Sequence, residues 1–121
     1  MKETANNPIL ILSTASAENA RVIARALVDE HLAACVNMME VRSFYYWQGD
    51  FSDDSEVLML VKTMESRKTV IMSKIRELHT YELPEMIVIP VTGGFPPYLT
   101  WIEEETGAGL PRRGGPPDKK E

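Results

Sequence analysis

The chain begins with a short apolar run that is followed by a helical pattern. Residues 9–12 (Ile-Leu-Ile-Leu) are apolar at every position, which is typical of a strand covered on both faces. Between residues 17 and 31 apolar side chains recur three and four positions apart, and Ser16 stands before them as a candidate N-cap. The pattern predicts a first strand and then an amphipathic helix over 17–31.

The middle of the chain predicts a long β-hairpin. Residues 33–46 contain no Gly or Pro, and a turn at Gln48-Gly49-Asp50 leads back into the apolar segment 57–61. Fourteen residues in a strand span about 46 Å, whereas a domain of this size is only about 30–35 Å wide. Part of the hairpin should therefore project, and because a bare aromatic ribbon invites aggregation, a second copy of the chain should cover it.

The second half of the chain repeats the order of helix and strand. Ser66 is a candidate N-cap for a helix over 67–79, and residues 81–85 are a connection. The apolar run 86–91 predicts a strand covered on both faces. Two prolines at 96–97 begin a short terminal helix.

The order of these elements predicts an α+β fold. Strand, helix, strand, strand, helix, strand is the ferredoxin-like split βαβ arrangement (β-α-β-β-α-β), here with a long central hairpin and a C-terminal helix. Its two main helices cover one face of an antiparallel sheet. Because the strands are apolar on both sides, we expect another chain or the terminal helix to cover the opposite face.

Length and tail composition predict one domain and one extension. A chain of 121 residues has room for a single domain, which we place at residues 1–106. Residues 107–121 are rich in Gly and Pro and contain one large apolar residue, Leu110. The apolar surface that they could bury is too small to offset the conformational entropy lost on ordering. We predict that they form a flexible C-terminal tail.

Charge and composition exclude several classes of function. The formal net charge is -5 and the tail is net positive, so the body is more acidic than the whole chain. An acidic body repels a phosphate backbone, which argues against nucleic acid as a partner. No apolar stretch approaches the ~20 residues of a membrane span, and the polar start is unlike a signal peptide, so the predicted compartment is the cytoplasm. The single cysteine, Cys35, excludes an intrachain disulfide.

The candidate chemistry is sparse and leaves alternatives open. No Gly-rich phosphate loop, nucleophile elbow or His-Glu-x-x-His motif is present, so the chain is predicted not to be an enzyme. His79, Tyr81 and Glu85 fall within seven residues, which suits either a metal or polar-ligand site or a solvated helix end. Cys35 has small apolar neighbours, which favours a buried thiol that packs as a small hydrophobic residue.

Five segments of the chain, taken in order, are distinctive: LAACVN (32–37), YYWQG (45–49), Glu56 leading through LVKT (60–63), HTYELPE (79–85) and YLTWI (98–102). Together they resemble the CutA divalent-cation tolerance family, over about residues 8–105. The resemblance implies a ferredoxin-like subunit in a tight homotrimer, with a link to tolerance of copper and other divalent metals. It also implies an architecture similar to trimeric PII-type signalling proteins, with clefts between subunits. A PII-like signalling or scaffold protein that binds a small ligand or a protein partner is the alternative function.

The resemblance also implies which residues form the site. The positions that would line a cleft are Cys35, Trp47, Glu56, Lys62, Tyr81, Glu85 and Trp101. In some bacterial members copper is associated with a cysteine at the end of the first strand and with two adjacent histidines. Those places look like Ser13, Leu78 and His79 here, so His79 is the expected metal ligand and copper or another divalent metal is the expected cofactor.

Overall fold

The structure, a computed structural model, describes residues 6–107. Within this range the elements are β1 (Pro8–Ala15), α1 (Ala17–Asp29), β2 (Cys35–Trp47), β3 (Asp50–Met64), a 3₁₀ turn (Glu65–Arg67), α2 (Lys68–Leu78), β4 (Ile87–Pro90) and α3 (Pro96–Glu105). No helix of these residues is long and apolar enough to cross a membrane. The tail predicted over 107–121 lies outside the described residues after its first position, and the boundary at 106 stays a prediction.

The four strands of residues 6–107 form one antiparallel sheet in the order β2-β3-β1-β4. In the central pair, β1 and β3 align from Pro8 opposite Met64 to Ala15 opposite Val57. Helix α1 therefore connects two strands that are separated by β3, and α2 connects two strands that are separated by β1. The mixed α+β fold with an antiparallel sheet is confirmed.

The core lies between one sheet face and the helices α1 and α2. Alternate residues of β1 and β3 reach this face, and residues four apart on each helix meet them. The fully buried apolar side chains of this layer include Ile11, Ile23, Leu27, Met59, Val61, Ile71 and Ile75. The sheet is consequently well covered on this side.

The opposite face of the sheet, which we call the open face, is only partly covered. Its apolar side chains include Leu10, Leu12, Met39, Leu58, Leu60, Ile87 and Ile89. Helix α3 covers one end, where Ile102 packs against Ala34 and Met64. Ile87 on β4 is 50% exposed in the single chain, so the expectation that β4 is covered on both faces depends on a second copy and stays a prediction. Strand β4 is the edge of the sheet, and Ile87 lies opposite Leu12, four residues along β1 from Pro8, which pairs with Met64.

The hairpin extends past the end of β1 as a two-stranded ribbon, made of residues 41–47 and 50–56. These seven pairs, from Val41 opposite Glu56 to Trp47 opposite Asp50, have no partner strand beyond each other in the described chain. At ~3.3 Å per residue the ribbon projects by about 23 Å. The turn is tighter than predicted, because only residues 48 and 49 lie outside the strands and both have positive φ, 51° and 88°.

Two helix boundaries differ from the sequence pattern. Helix α1 ends at Asp29 rather than at residue 31, because the backbone N–H groups of Leu32 and Ala33 both donate to Leu27 O. That closure places His31 in the left-handed region at φ 59°.

Ser66 is not the N-cap of the second helix, contrary to the prediction. It lies inside the 3₁₀ turn, and α2 begins at Lys68 without a side-chain cap. The Ser66 backbone N–H donates to Asn6 Oδ1 at 2.9 Å. A side chain sixty residues away therefore accepts the hydrogen bond that a local cap would otherwise accept. Local sequence spacing does not reveal such a partner.

Candidate functional site

A pocket of about 640 Å³ lies between the ribbon and the loop that joins α2 to β4, residues 79–86, which we call the 79–86 loop. This volume is in the range of small-molecule sites. The lining residues are Thr14, Ser43, Phe44, Tyr45, Trp47, Asp54, Glu56, Tyr81, Glu82, Leu83 and Glu85. We call it the acidic pocket because four of these side chains are carboxylates.

The strand repeat of the ribbon explains one wall of the acidic pocket. Ser43, Tyr45 and Trp47 are alternate residues of β2, so their side chains share one face. Asp54 lies opposite Ser43 in the antiparallel register, and Glu56 is two residues further along β3. All five side chains therefore belong to one face of the ribbon.

A hydrogen bond between Tyr81 and Glu56 joins the 79–86 loop to the ribbon. The Tyr81 hydroxyl donates to Glu56 Oε1 at 3.0 Å, and Glu56 is only 9% exposed. Burial, then this hydrogen bond and the charge of Glu56, raise the pKa of Tyr81 from 10.0 to about 12. Tyr81 therefore remains a protonated donor at neutral pH.

The rest of the acidic pocket adds negative charge. The Tyr45 hydroxyl donates to Asp54 Oδ2 at 2.5 Å, and this bond is the main reason why the pKa of Tyr45 is raised. Glu82 and Glu85 make no hydrogen bond or ion pair with any side chain in the part of the chain described. No lysine, arginine or histidine is among the pocket-lining residues of the range 6–107.

His79 lies just behind the acidic pocket and uses both ring nitrogens. Its Nε2–H donates to Thr14 O at 2.8 Å, and its Nδ1 accepts the backbone N–H of Tyr81 at 3.0 Å. These partners assign the neutral Nε2–H tautomer. The ring also packs against that of Tyr81, with centroids 4.6 Å apart.

The residues do not fit a preformed metal centre. A metal at His79 would have to break one of the two bonds that hold its ring. Across residues 6–107, no three His, Cys, Asp or Glu side chains are grouped so that they could hold an ion. Ser13, at a copper-associated place of the family, is fully buried in the core, and Leu78 packs against that core. The assignment of His79 as a metal ligand stays a prediction.

The remaining predicted cleft residues form a second group, which we call the Lys62 cluster. Cys35 lies opposite Lys62 in the β2–β3 register. Lys62 Nζ donates to the hydroxyl of Tyr98 at 3.3 Å and lies 5.4 Å from the centroid of its ring. That ring packs against Trp101 at 5.4 Å. Six residues of β3, or about 20 Å, separate Lys62 from Glu56, so one chain does not unite the two groups.

The structure thus brings together four of the predicted site residues, Trp47, Glu56, Tyr81 and Glu85, with His79 behind them. The sequence pattern does not indicate three further residues of these two groups, Tyr45, Asp54 and Tyr98. The first two could have been found from the two-residue repeat of the hairpin, which places them on the face of Trp47 and Glu56. No local signal places Tyr98 beside Lys62.

Titration of Tyr81 tests the electrostatics of the acidic pocket. We expect the phenolate absorbance lost in Tyr81→Phe to have a midpoint near pH 12 in the unaltered protein. Because folding raises this pKa above 10.0, its contribution to stability is complete below pH 10 and is lost as the pH rises through about 12. In Glu56→Gln the midpoint should fall but stay above 10.0, since burial remains. A midpoint near 10 in the unaltered protein would contradict the hydrogen bond between Tyr81 and Glu56.

Comparison with known proteins identifies the family. Residues 9–105 match the sequence model of the CutA1 divalent ion tolerance protein. The chain belongs to this family. It is 41% identical over 100 residues to the divalent-cation tolerance protein CutA of Thermus thermophilus, a match that covers 82% of this chain and 97% of that one. Protein CutA of Mus musculus is 46% identical over 88 residues, and the chain spans about half of its length.

Solved structures of the family have the same fold. The periplasmic divalent cation tolerance protein CutA from Archaeoglobus fulgidus matches with a TM-score of 0.80 at 34% identity, covering 83% of this chain and 99% of that one. A protein described as the PII-like protein CutA, from Nostoc, matches with a TM-score of 0.78 at 36% identity, covering 82% and 97%. The cytoplasmic location predicted for the present chain stays a prediction.

Proposed function

We propose that this protein works as a non-enzymatic homotrimer in divalent-cation tolerance, built from ferredoxin-like subunits and binding a small ligand in clefts between them. The open face of the sheet is the observation that supports assembly. Its row of apolar side chains runs across all four strands, yet α3 protects only one end. Soluble proteins bury such a surface against a partner, and a second copy is the simplest one.

The projecting ribbon supports a cleft that two copies share. It carries the exposed aromatic side chains Phe44, Tyr46 and Phe51, which one chain leaves uncovered. A neighbouring copy that covers the ribbon would stand beside the acidic pocket. In our proposal this neighbour contributes its Lys62 cluster to the rim of the same cleft, and the opposite charges of the two groups favour that approach.

The ligand binds in the acidic pocket, and His79 does not bind copper. In equilibrium titrations with Cu(II), and with Cu(I) under reducing conditions, we expect His79→Ala to bind as much copper as the unaltered protein. The reason is that both ring nitrogens already have partners. His31→Ala is the matched control, since these are the two histidines of the sequence.

One result of these titrations would contradict the proposal. Saturable binding near one ion per chain that persists in His31→Ala and disappears in His79→Ala would make the 79–86 loop a metal site. The protein would then be a metal buffer or sensor, and the ring of His79 would have to turn away from Thr14 to bind.

A further inference from the structure

The acidic pocket contains a largely buried carboxylate, that of Glu56, with one oxygen open to the pocket. Glu56 is nine-tenths buried, and its Oε1 accepts the Tyr81 hydroxyl. Its Oε2 accepts no hydrogen bond from any residue between 6 and 107. Because no oxygen of Glu56 is both fully buried and without a hydrogen-bond partner, this one is accessible from the pocket, where it can accept from a donor or attract a cation.

The pocket also lacks a positive charge from the described part of its own chain. Arg42, the nearest arginine along the ribbon, is paired with Asp53 at 2.9 Å and does not line the pocket. Asp54, Glu82 and Glu85 add further carboxylates to that of Glu56. Such a lining repels phosphates and carboxylates and attracts cations.

Aromatic side chains fix the chemical class of the cation. Phe44, Tyr45, Trp47 and Tyr81 line the same pocket. Aromatic faces attract alkylammonium groups, which are larger and less strongly hydrated than metal ions. A small metal ion would need several converging ligands, and no such group of three exists among residues 6–107.

We propose that the acidic pocket binds a small organic cation, an amine or a quaternary ammonium compound. Its charged group lies against Glu56 and the neighbouring carboxylates, and its alkyl groups contact the aromatic walls. At about 640 Å³ the pocket has room for such a molecule. This inference rests on the proposed function, because it names the ligand class of the same cleft.

Choline and its uncharged isostere 3,3-dimethylbutan-1-ol test the proposal, because they differ by one charge at nearly equal shape. We expect calorimetric titration of the full chain with choline to be saturable at one molecule per chain. The alcohol should bind at least about tenfold more weakly. Choline affinity should also fall as sodium chloride is raised, since salt screens the attraction of the carboxylates.

Two matched variants locate the binding. Glu85→Gln removes a pocket carboxylate and should weaken choline binding about three- to tenfold. Asp53→Asn removes a ribbon carboxylate that does not line the pocket, and it should change the affinity less than about twofold. Equal binding of choline and the alcohol, or equal effects of the two variants, would overturn the proposal.

Light scattering, which gives the mass of the same samples in solution, separates this inference from the proposed function. A trimeric mass without selective choline binding would overturn the organic-cation assignment and leave the assembly standing. A single-chain mass would overturn the proposed function itself. A further variant, Lys62→Gln, tests whether a neighbouring copy's ammonium group fills the pocket. Choline binding in this variant and not in the unaltered protein would show that it does, and would overturn the assignment for the natural protein.

Discussion

Replacing Ile87 by Asp is expected to break the assembled protein into single chains, whereas Val22→Asp should leave it assembled. The two side chains are equally exposed in one chain, at 50% each. Ile87, however, lies on the open face opposite Leu12, while Val22 is on α1. Losing a buried Ile costs about 1.5–3 kcal/mol, and an unpaired carboxylate in an apolar interface costs several more at each of the three contacts.

The control variant Val22→Asp has little effect on the stability of α1, because Val and Asp are similar helix formers. Light scattering on a size-exclusion column gives the masses, and circular dichroism checks that both variants are folded. If Ile87→Asp keeps the mass of the unaltered protein while folded, the open face is not the assembly surface. If Val22→Asp also dissociates, exposure on the open face is not the deciding feature.

The second large effect is expected in the core, where Leu27→Ala should reduce the free energy of unfolding by about 2–5 kcal/mol. Leu27 is fully buried between α1 and the sheet. Leu and Ala both favour helices, so the loss comes from the apolar burial that is removed and from the cavity that is left. Val28→Ala, at the next position and 39% exposed, is the control and should cost less than about 1 kcal/mol.

Urea unfolding of the Leu27→Ala and Val28→Ala variants must be compared at one protein concentration, because assembly stabilises the folded chain by mass action. A loss in Leu27→Ala no larger than that in Val28→Ala would show that the core between the sheet and the helices α1 and α2 does not carry the stability. If the slope of the unfolding free energy against urea concentration is unchanged, the variant alters stability and not the compactness of the unfolded chain.

Regular repeats account for the parts of the fold that the sequence predicts well. Ile23 and Leu27 are four residues apart and both face the sheet, as the helical pattern requires. The hairpin is equally clear, because two long runs free of Gly and Pro flank Gly49. In both cases the buried face repeats along the chain, so local spacing carries the information.

Long-range contacts account for the boundaries that the sequence does not predict. Asn6 satisfies the Ser66 N–H, which removes the need for a serine cap. The exposure of Ile87 depends on how far α3 extends across the sheet, not on the pattern of β4 itself. Neither effect is visible in a window of ten or fifteen residues.

The candidate site is predictable only in part for the same reason. The sequence resemblance gives Trp47, Glu56 and Tyr81, and the structure places them around one pocket. It does not indicate that Lys62 lies about 20 Å away along β3, beside Tyr98. Which residues share a pocket depends on the length of the ribbon and on the path of the 79–86 loop.

The mass of the unaltered chain in solution tests the central claim most directly. Light scattering at micromolar concentration is expected to give three times the 13.6 kDa of one chain, because three open faces and ribbons bury one another. A mass of 13.6 kDa at that concentration would mean that the open face and the ribbon remain exposed to solvent, and it would contradict both the trimer and the shared cleft.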